Sequence, residues 1–342
     1  MTTMIEALPD HVIALMRSGS VVQYATVSTA GMPIDTPVLY FPSDDLSSFN
    51  LATGLSYPAK AERARRNPKV GLLIEGQPDE PVISIAGMAA VRDSDLQTNA
   101  LRYLSEAAYT LPHDPDWSLA RQAVWYWTRI IVEITPARIL WWDSPRQMDQ
   151  APHRWDALVG TVFPQSDPAP PGKASAPAKW DEPAWRDLAA AALNRNAAGH
   201  VSVIDAEGFP LPVKARTVRL TETGFALELP RGIPWKLSGK ACLTFGGIES
   251  FLGEVTTRDG LIAMKVMRSL PVFPMTKDMR ELWEPTANTR AQLMRRLEEE
   301  VRRRGQNVPI IPVERPPPSE GYRLRMQRMK AIKQGSSGGP PD

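Results

Sequence analysis

From Val21 onward, apolar and polar residues alternate with a period of two between short turn signals, a pattern that predicts strands. Before it, residues 5–19 have helical spacing and end at Gly19. Val21–Ser28 and Ile34–Phe41 read as a hairpin around the turn Ala30-Gly31-Met32-Pro33. A polar stretch, Ser43–Ser48, leads to a strand at Phe49–Thr53 and a helix over Pro58–Arg66, stopped by Asn67-Pro68. Val70–Glu75 and Val82–Arg92 are further strands, and Leu96–Ala108 and Trp117–Trp127 have helical spacing. Ile130–Ile134 and Arg138–Trp142 complete the unit as a strand interrupted by Thr135-Pro136. Short antiparallel strands in succession, with helices inserted late, predict a closed or nearly closed barrel.

Ser144–Pro183 breaks the pattern. It is rich in proline and alanine and reads as an exposed, semi-rigid linker. Periodicity then resumes with a helix at Trp185–Asn196 and strands at His200–Asp205 and Leu211–Leu220. Ala25–Val38 aligns with Ser202–Ala215, superposing Gly31-Met32-Pro33 on Gly208-Phe209-Pro210. Ser84–Val91 aligns with Ser250–Thr257, each with a glycine mid-strand, which marks a bulge or a close backbone approach. Two matches in the same order argue for an internal duplication. A last helix is predicted over Lys277–Arg304, interrupted or kinked at Pro285, with Gly305 able to cap it. The remaining residues, apart from a short basic helix at Tyr322–Lys333, are expected to be extended or disordered.

The fold class is therefore mainly β with α (α+β): two barrel domains in tandem, pseudo-dimeric, with peripheral helices. The expected divisions are 1–145, a linker at 146–183, a second barrel at 184–276, a helix at 277–305 and a flexible basic tail at 306–342. A chain of 342 residues accommodates two such domains. The single cysteine, Cys242, excludes an intramolecular disulfide and a Cys-cluster zinc site. The four histidines, His11, His113, His153 and His200, show no metal-ligand spacing, so no metal is expected. No run reaches the ~20 apolar residues of a membrane span, and the first 25 residues lack a leader pattern, so a cytoplasmic protein without membrane contact is expected. Net charge is +2, with eleven Lys/Arg against five Asp/Glu in residues 295–333. Almost no aromatic residues interleave with those cations, so the stretch reads as a solvated helix face, and nucleic acid is not an expected partner.

Candidate chemistry concentrates in LATGLSYPAKAERARRNPK, residues 51–69. Thr53, Gly54, Ser56 and Lys60 fall where a strand gives way to a helix start, whose free N–H groups and dipole favour an anion. Walker-loop spacing is missing. The plain alternative is that Ser56 caps the helix and Lys60 faces solvent. Arg63, Arg65 and Arg66 would widen an anionic site or form a solvated face.

Taken with ATVSTAGMPIDTPV, ATGLSYPAKAERARRNPKVGLLI and IVEITPARILWWD, the order of elements over residues 20–143 resembles the FMN-binding split barrels of the pyridoxamine 5'-phosphate oxidase-like family, the second copy being degenerate. The resemblance implies an FMN site at an interface of two barrels, with F420 or haem as alternatives. It puts Asp35, Thr36, Pro37 and Val38 on the strand passing the ring. Thr53, Gly54, Ser56 and Lys60 would lie at the phosphate, and Trp141 and Trp142 would approach a ring across the interface or simply pack. Two departures, Ile34-Asp35 without an arginine and Glu62 where a basic residue is common, remove positive charge from the presumed phosphate site. The counterpart in the second unit, LPRGIPWKLSGKA, keeps Trp235 and Lys236 but no ATG. Lys214 and Arg216 are candidates to reach the first unit's cofactor. Trp125-Tyr126-Trp127 reads as packing, and His113 and His200 have no visible partner.

The implied function is a flavin-dependent oxidoreductase acting on a small organic substrate, with NAD(P)H as electron donor although no GxGxxG is present. The alternatives are an F420-dependent reductase and a non-catalytic flavin or haem sensor or carrier. Monomer and homodimer both remain open.

Overall fold

The computed structural model describes residues 4–19, 21–111, 113, 115–175, 184–258, 261–271 and 279–336. Helices α1 (Met4–Ala7) and α2 (Asp10–Ser18) are separated at Pro9, which stands at the N-cap of α2 and ends the single helix expected there. Strands β1 (Val21–Val27), β2 (Pro33–Pro42) and β3 (Phe49–Gly54) precede α3 (Ala59–Arg66). They are followed by β4 (Lys69–Glu75), β5 (Val82–Arg92), α4 (Leu96–Ala107), the one-turn helices α5 (Trp117–Ala120) and α6 (Val124–Trp127), and β6 (Arg129–Trp142). The strand order is β3-β2-β1-β4-β5-β6, and β6 returns to pair with β3 from Phe49↔Ile134 to Gly54↔Arg129. Closure leaves no unpaired edge among these six antiparallel strands. Tyr24, Tyr40, Phe49, Ile85 and Trp127 lie in the core of this barrel.

Two sequence expectations change here. Trp117–Trp127 is two short helices, because Arg121–Ala123 turns between them. The interruption at Thr135-Pro136 is instead a register shift within one 14-residue strand, opposite Ala86/Gly87. Proline has no N–H to donate and is tolerated at such an irregularity.

After β6 the chain does not leave the barrel. A 3-10 turn (Pro145–Asp149) leads to β7 (His153–Asp156), which pairs with Arg138–Trp141. Asp167 then accepts hydrogen bonds from the backbone N–H groups of Asp93 and Ser94, at 2.8 and 2.9 Å. The expected linker is thus paired at 153–157, exposed at 158–162 and held again at Asp167; its 176–183 portion lies outside the described residues.

Helix α7 (Trp185–Asn194) opens the second unit, with β8 (Gly199–Ile204), β9 (Pro210–Lys214), β10 (Thr217–Leu220), β11 (Gly224–Glu228), β12 (Gly239–Phe245), β13 (Glu249–Arg258) and β14 (Leu261–Ser269). The sheet order is β10-β11-β14-β13-β12-β8-β9. It repeats the first unit, with β9 and β10 together in the place of β2. The expected strand Leu211–Leu220 breaks where Ala215 N–H bonds Gly199 and Arg216 N–H bonds Glu228, so the sheet is a curled half-barrel.

The duplication is visible in detail. Ser28 N–H bonds the Met32 carbonyl and Gly31 N–H bonds Ser28; Asp205 N–H bonds Phe209 and Gly208 N–H bonds Asp205. Gly31 and Gly208 have φ of 69° and 89°, values that favour glycine. The aligned mid-strand glycines, Gly87 and Gly253, both sit at register shifts. The molecule is thus two split barrels in tandem.

The units share a dense interface. Gly71 lies so close to the Pro210 carbonyl that a β-carbon would not fit. Arg138 pairs with Asp205 and Glu207, both at 2.5 Å. β2 packs against β8 and β12.

Helix α8 (Ala287–Arg303) begins at Thr286, whose hydroxyl accepts the Thr289 N–H at 3.2 Å, and Gly305 follows its end with φ 64°. The predicted helix is interrupted at Pro285, with a separate 3-10 turn at Met279–Leu282 before it, and its 277–278 start lies outside the described residues. Leu293, Leu297 and Val301, spaced four apart, enter the first core. The tail expected to be flexible is instead docked as far as α9 (Glu320–Ser336), and 337–342 lie outside the described residues. Gln306 accepts the Leu96 N–H at 2.8 Å, Ile311 is buried, and Arg325 pairs with Glu106 at 2.7 Å. Isolated apolar anchors among prolines suffice because each fills a site on the first barrel.

Candidate functional site

Strand β3 ends in Thr53-Gly54 and turns through Leu55–Pro58 into α3, whose buried Ala61 and Ala64 seat it on the barrel. Lys60, in the first turn of α3, is half-buried. Among the described residues its ammonium has no hydrogen bond or ion pair. Burial lowers its pKa to about 8, the nearby Arg63 and Arg129 lower it too, and Asp35 opposes them. Arg63 donates from Nε to the Thr26 hydroxyl at 2.7 Å. The Arg129 guanidinium stands 4.3 Å from the ring centres of both Tyr103 and Tyr126. A side chain at Gly54 would crowd its Nη1 at 3.3 Å, so the glycine makes room for an arginine. Lys60, Arg63 and Arg129 form a cationic cluster in which, among the described residues, none has a carboxylate within ion-pair distance. A half-buried cluster of that kind is chemically suited to an anion.

Arg129 escaped the sequence reading. The available signal was an arginine following Trp-Tyr-Trp-Thr at a strand start, directly opposite Gly54 in the pair that closes the barrel. The aromatic triplet divides its roles: Trp125 and Trp127 are buried, while Tyr126 stacks on the guanidinium.

The other expected residues scatter. Thr53 is buried on β3, next in sequence to Gly54. Ser56 is turned toward α8: its hydroxyl donates to Leu293 at 3.4 Å, and its carbonyl accepts Arg296 Nε at 2.8 Å. Glu62 pairs with Arg303 at 2.6 Å, so this departure docks the carboxy-terminal helix. Thr36, Pro37 and Val38 are half-buried, and Pro37 lies against Gly247 of the second unit. Trp141 and Trp142 do not join the cluster. Twelve residues of β6 separate Trp141 from Arg129, about 40 Å of strand at ~3.3 Å per residue. Trp141 stacks on His153 at 5.3 Å, and Trp142 Nε1 donates to Gln150 at 2.9 Å.

Asp35 is fully buried and faces the second unit, where Ser202 donates to its Oδ2 at 3.2 Å; Oδ1 has no partner. Burial raises its pKa to about 6, against opposing pulls from His200, Ser202, the Thr36 N–H and Lys60. His200, without a partner in the sequence reading, meets Glu75 at 2.6 Å. Lys214 and Arg216 do not reach the cluster; they pair with Glu75 at 3.4 Å and Asp149 at 2.9 Å.

The second unit's counterpart has no helix between β11 and β12. Lys236 is exposed there, and Gly232 is packed against the Met148 and Gln150 carbonyls. Asp149 accepts the Arg231 N–H at 2.9 Å, so the chain's own carboxylate occupies the turn.

No protein-family model matches the chain, and no curated protein does. Solved structures similar to it include a putative pyridoxamine 5'-phosphate oxidase from Listeria innocua (TM-score 0.30, 20% identity, 40% of this chain and 98% of that one). A pyridoxamine 5'-phosphate oxidase-related, FMN binding protein from Nostoc punctiforme gives 0.29 and 16%, over 38% and 80%. A conserved hypothetical protein from Mycobacterium tuberculosis gives 0.32 and 23%, over 45% and 95%. The fold, defined by its own strand order and register, is the split barrel that the sequence resemblance implies. Among the described residues no helix is long and apolar enough to cross a membrane.

Proposed function

We propose that the chain binds FMN in its first barrel and serves as a flavin-dependent oxidoreductase toward a small organic substrate. The observation that carries this reading is the cationic cluster of Lys60, Arg63 and Arg129, unpaired by any carboxylate among the described residues. It lies at the strand-to-helix turn whose sequence resembles the phosphate segment of flavin-binding split barrels. Lys60 and Arg63 would hold the phosphate as charges, with the Thr53 hydroxyl beside them. Arg129, fixed between two tyrosines, adds a cation that loses little freedom on pairing. A flavin supplies the redox chemistry when bound, and the protein supplies orientation and electrostatics. The second barrel closes over β2 and excludes water from Asp35. Its own turn, occupied by Asp149, leaves one site per chain.

Titrating the purified protein with FMN tests this reading. Saturable quenching of flavin fluorescence at one equivalent is expected, with affinity weakened about tenfold or more in Lys60→Ala. Bleaching by NAD(P)H with recovery in air identifies an oxidoreductase; stable binding without bleaching by any donor identifies a carrier. Absence of FMN binding would refute the flavin assignment.

A further inference from the structure

The interface between the barrels carries a buried carboxyl that binding of a phosphate does not require. Asp35 is inaccessible to water and one of its oxygens has no partner. Ionised carboxylates collect donors on both oxygens, so this one is poorly neutralised where it stands. The groups acting on it come from each packed element: Lys60 on α3, His200 and Ser202 on β8, Cys242 on β12 and the Thr36 N–H on β2 itself. Cys242 stays a thiol, pushed to about 12 by burial and by Asp35. Glu75 holds the His200 ring from the far side at 2.6 Å and pairs with Lys214 at 3.4 Å.

We propose that anion binding at Lys60, Arg63 and Arg129 is coupled to proton uptake by Asp35, and that Ser202 of the second barrel sets the pH at which this occurs. The inference rests on the anion site of the preceding reading but not on the identity of its ligand. Ionised Asp35 offsets part of the Lys60 charge; an arriving anion raises the cost of that second negative charge, and the carboxyl takes up a proton. Linkage is reciprocal, so anion affinity falls as pH rises through the region where Asp35 ionises, near 6. Loss of the Lys60 proton, near 8, weakens binding further in the same direction. The second barrel thereby acts on the first barrel's site without touching the ligand.

Calorimetric titration with inorganic sulfate, a dianion throughout pH 5–7, tests the coupling without the ionisation that a phosphate monoester undergoes near pH 6. Wild-type affinity should weaken about fivefold or more from pH 5 to pH 7, and Asp35→Asn should change less than about twofold. Ser202→Ala, which removes a hydrogen bond favouring the ionised form, should move the wild-type midpoint to higher pH. Parallel pH profiles for wild type and Asp35→Asn overturn the proposal, even if FMN binds through Lys60. Coupled sulfate binding without FMN binding upholds it and removes the flavin reading. No sulfate binding at any pH overturns the coupling.

Discussion

Arg304 offers the sharpest test of how the carboxy-terminal segment is held. Its side chain is 2% exposed, and its guanidinium reaches Asp93 at 2.9 Å, Glu300 at 2.5 Å and Glu62 at 3.6 Å. Asp93 and Glu300 are as deeply buried, at 3% and 1%. In Arg304→Ala each carboxylate loses one of its cations, while Arg65 still serves Asp93 at 2.7 Å and Arg303 serves Glu300 at 3.0 Å. Breaking a buried pair costs about 3–5 kcal/mol, and the retained arginines favour the low end, about 3 kcal/mol. Arg323–Glu320, with side chains 58% and 73% exposed, is the control, and Arg323→Ala should change stability by under ~0.5 kcal/mol. Urea denaturation at pH 7 reads the effect: with a slope of about 3 kcal/mol per molar, the midpoint should drop by about 1 M. Limited proteolysis should show faster cutting between residues 305 and 320, because α8 then loses an anchor. If Arg304→Ala is as mild as Arg323→Ala, the buried network does not hold the tail.

Asp35 makes stability pH-dependent. Its folded value, about 6, lies above the ordinary 3.8, so the folded chain holds more protons than the unfolded chain between those values, and stability falls as pH rises through that window. The gap amounts to about 3 kcal/mol, so Asp35→Asn should lose most of this decline and be more stable than wild type at pH 7 in urea titrations. Gly71→Ala should destabilise by about 1–3 kcal/mol in the same assay, because its β-carbon meets the rigid Pro210 carbonyl across the interface. Gly54→Ala meets a side chain, Arg129 Nη1 at 3.3 Å, rather than backbone, so it should cost less stability than Gly71→Ala while weakening anion binding measurably in sulfate titrations.

The strands of both barrels were legible because period-two alternation and turn residues act locally: Gly31 and Gly208 mark equivalent turns, and Gly87 and Gly253 mark equivalent shifts. Lys60 was legible from its place after a strand. Arg129 was not, because its role depends on Gly54, 75 residues earlier, and on tyrosines from two helices. The partners of Asp35 were equally hidden, since Ser202 and His200 reach it only when the two barrels dock. The tail was misread because composition averages over Ile311, Tyr322 and Arg325, three buried residues in a polar, proline-rich stretch.

The most direct measurement compares affinities for FMN and riboflavin, which differ only by the phosphate, in wild type and Lys60→Ala. A charge-assisted hydrogen bond contributes about 1.5–3 kcal/mol, so wild type should prefer FMN by about tenfold or more. Lys60→Ala should reduce that preference by about fivefold or more, Arg63 and Arg129 keeping the remainder. Equal wild-type affinities, or a preference for FMN unchanged by loss of Lys60, would contradict a phosphate held at this cluster.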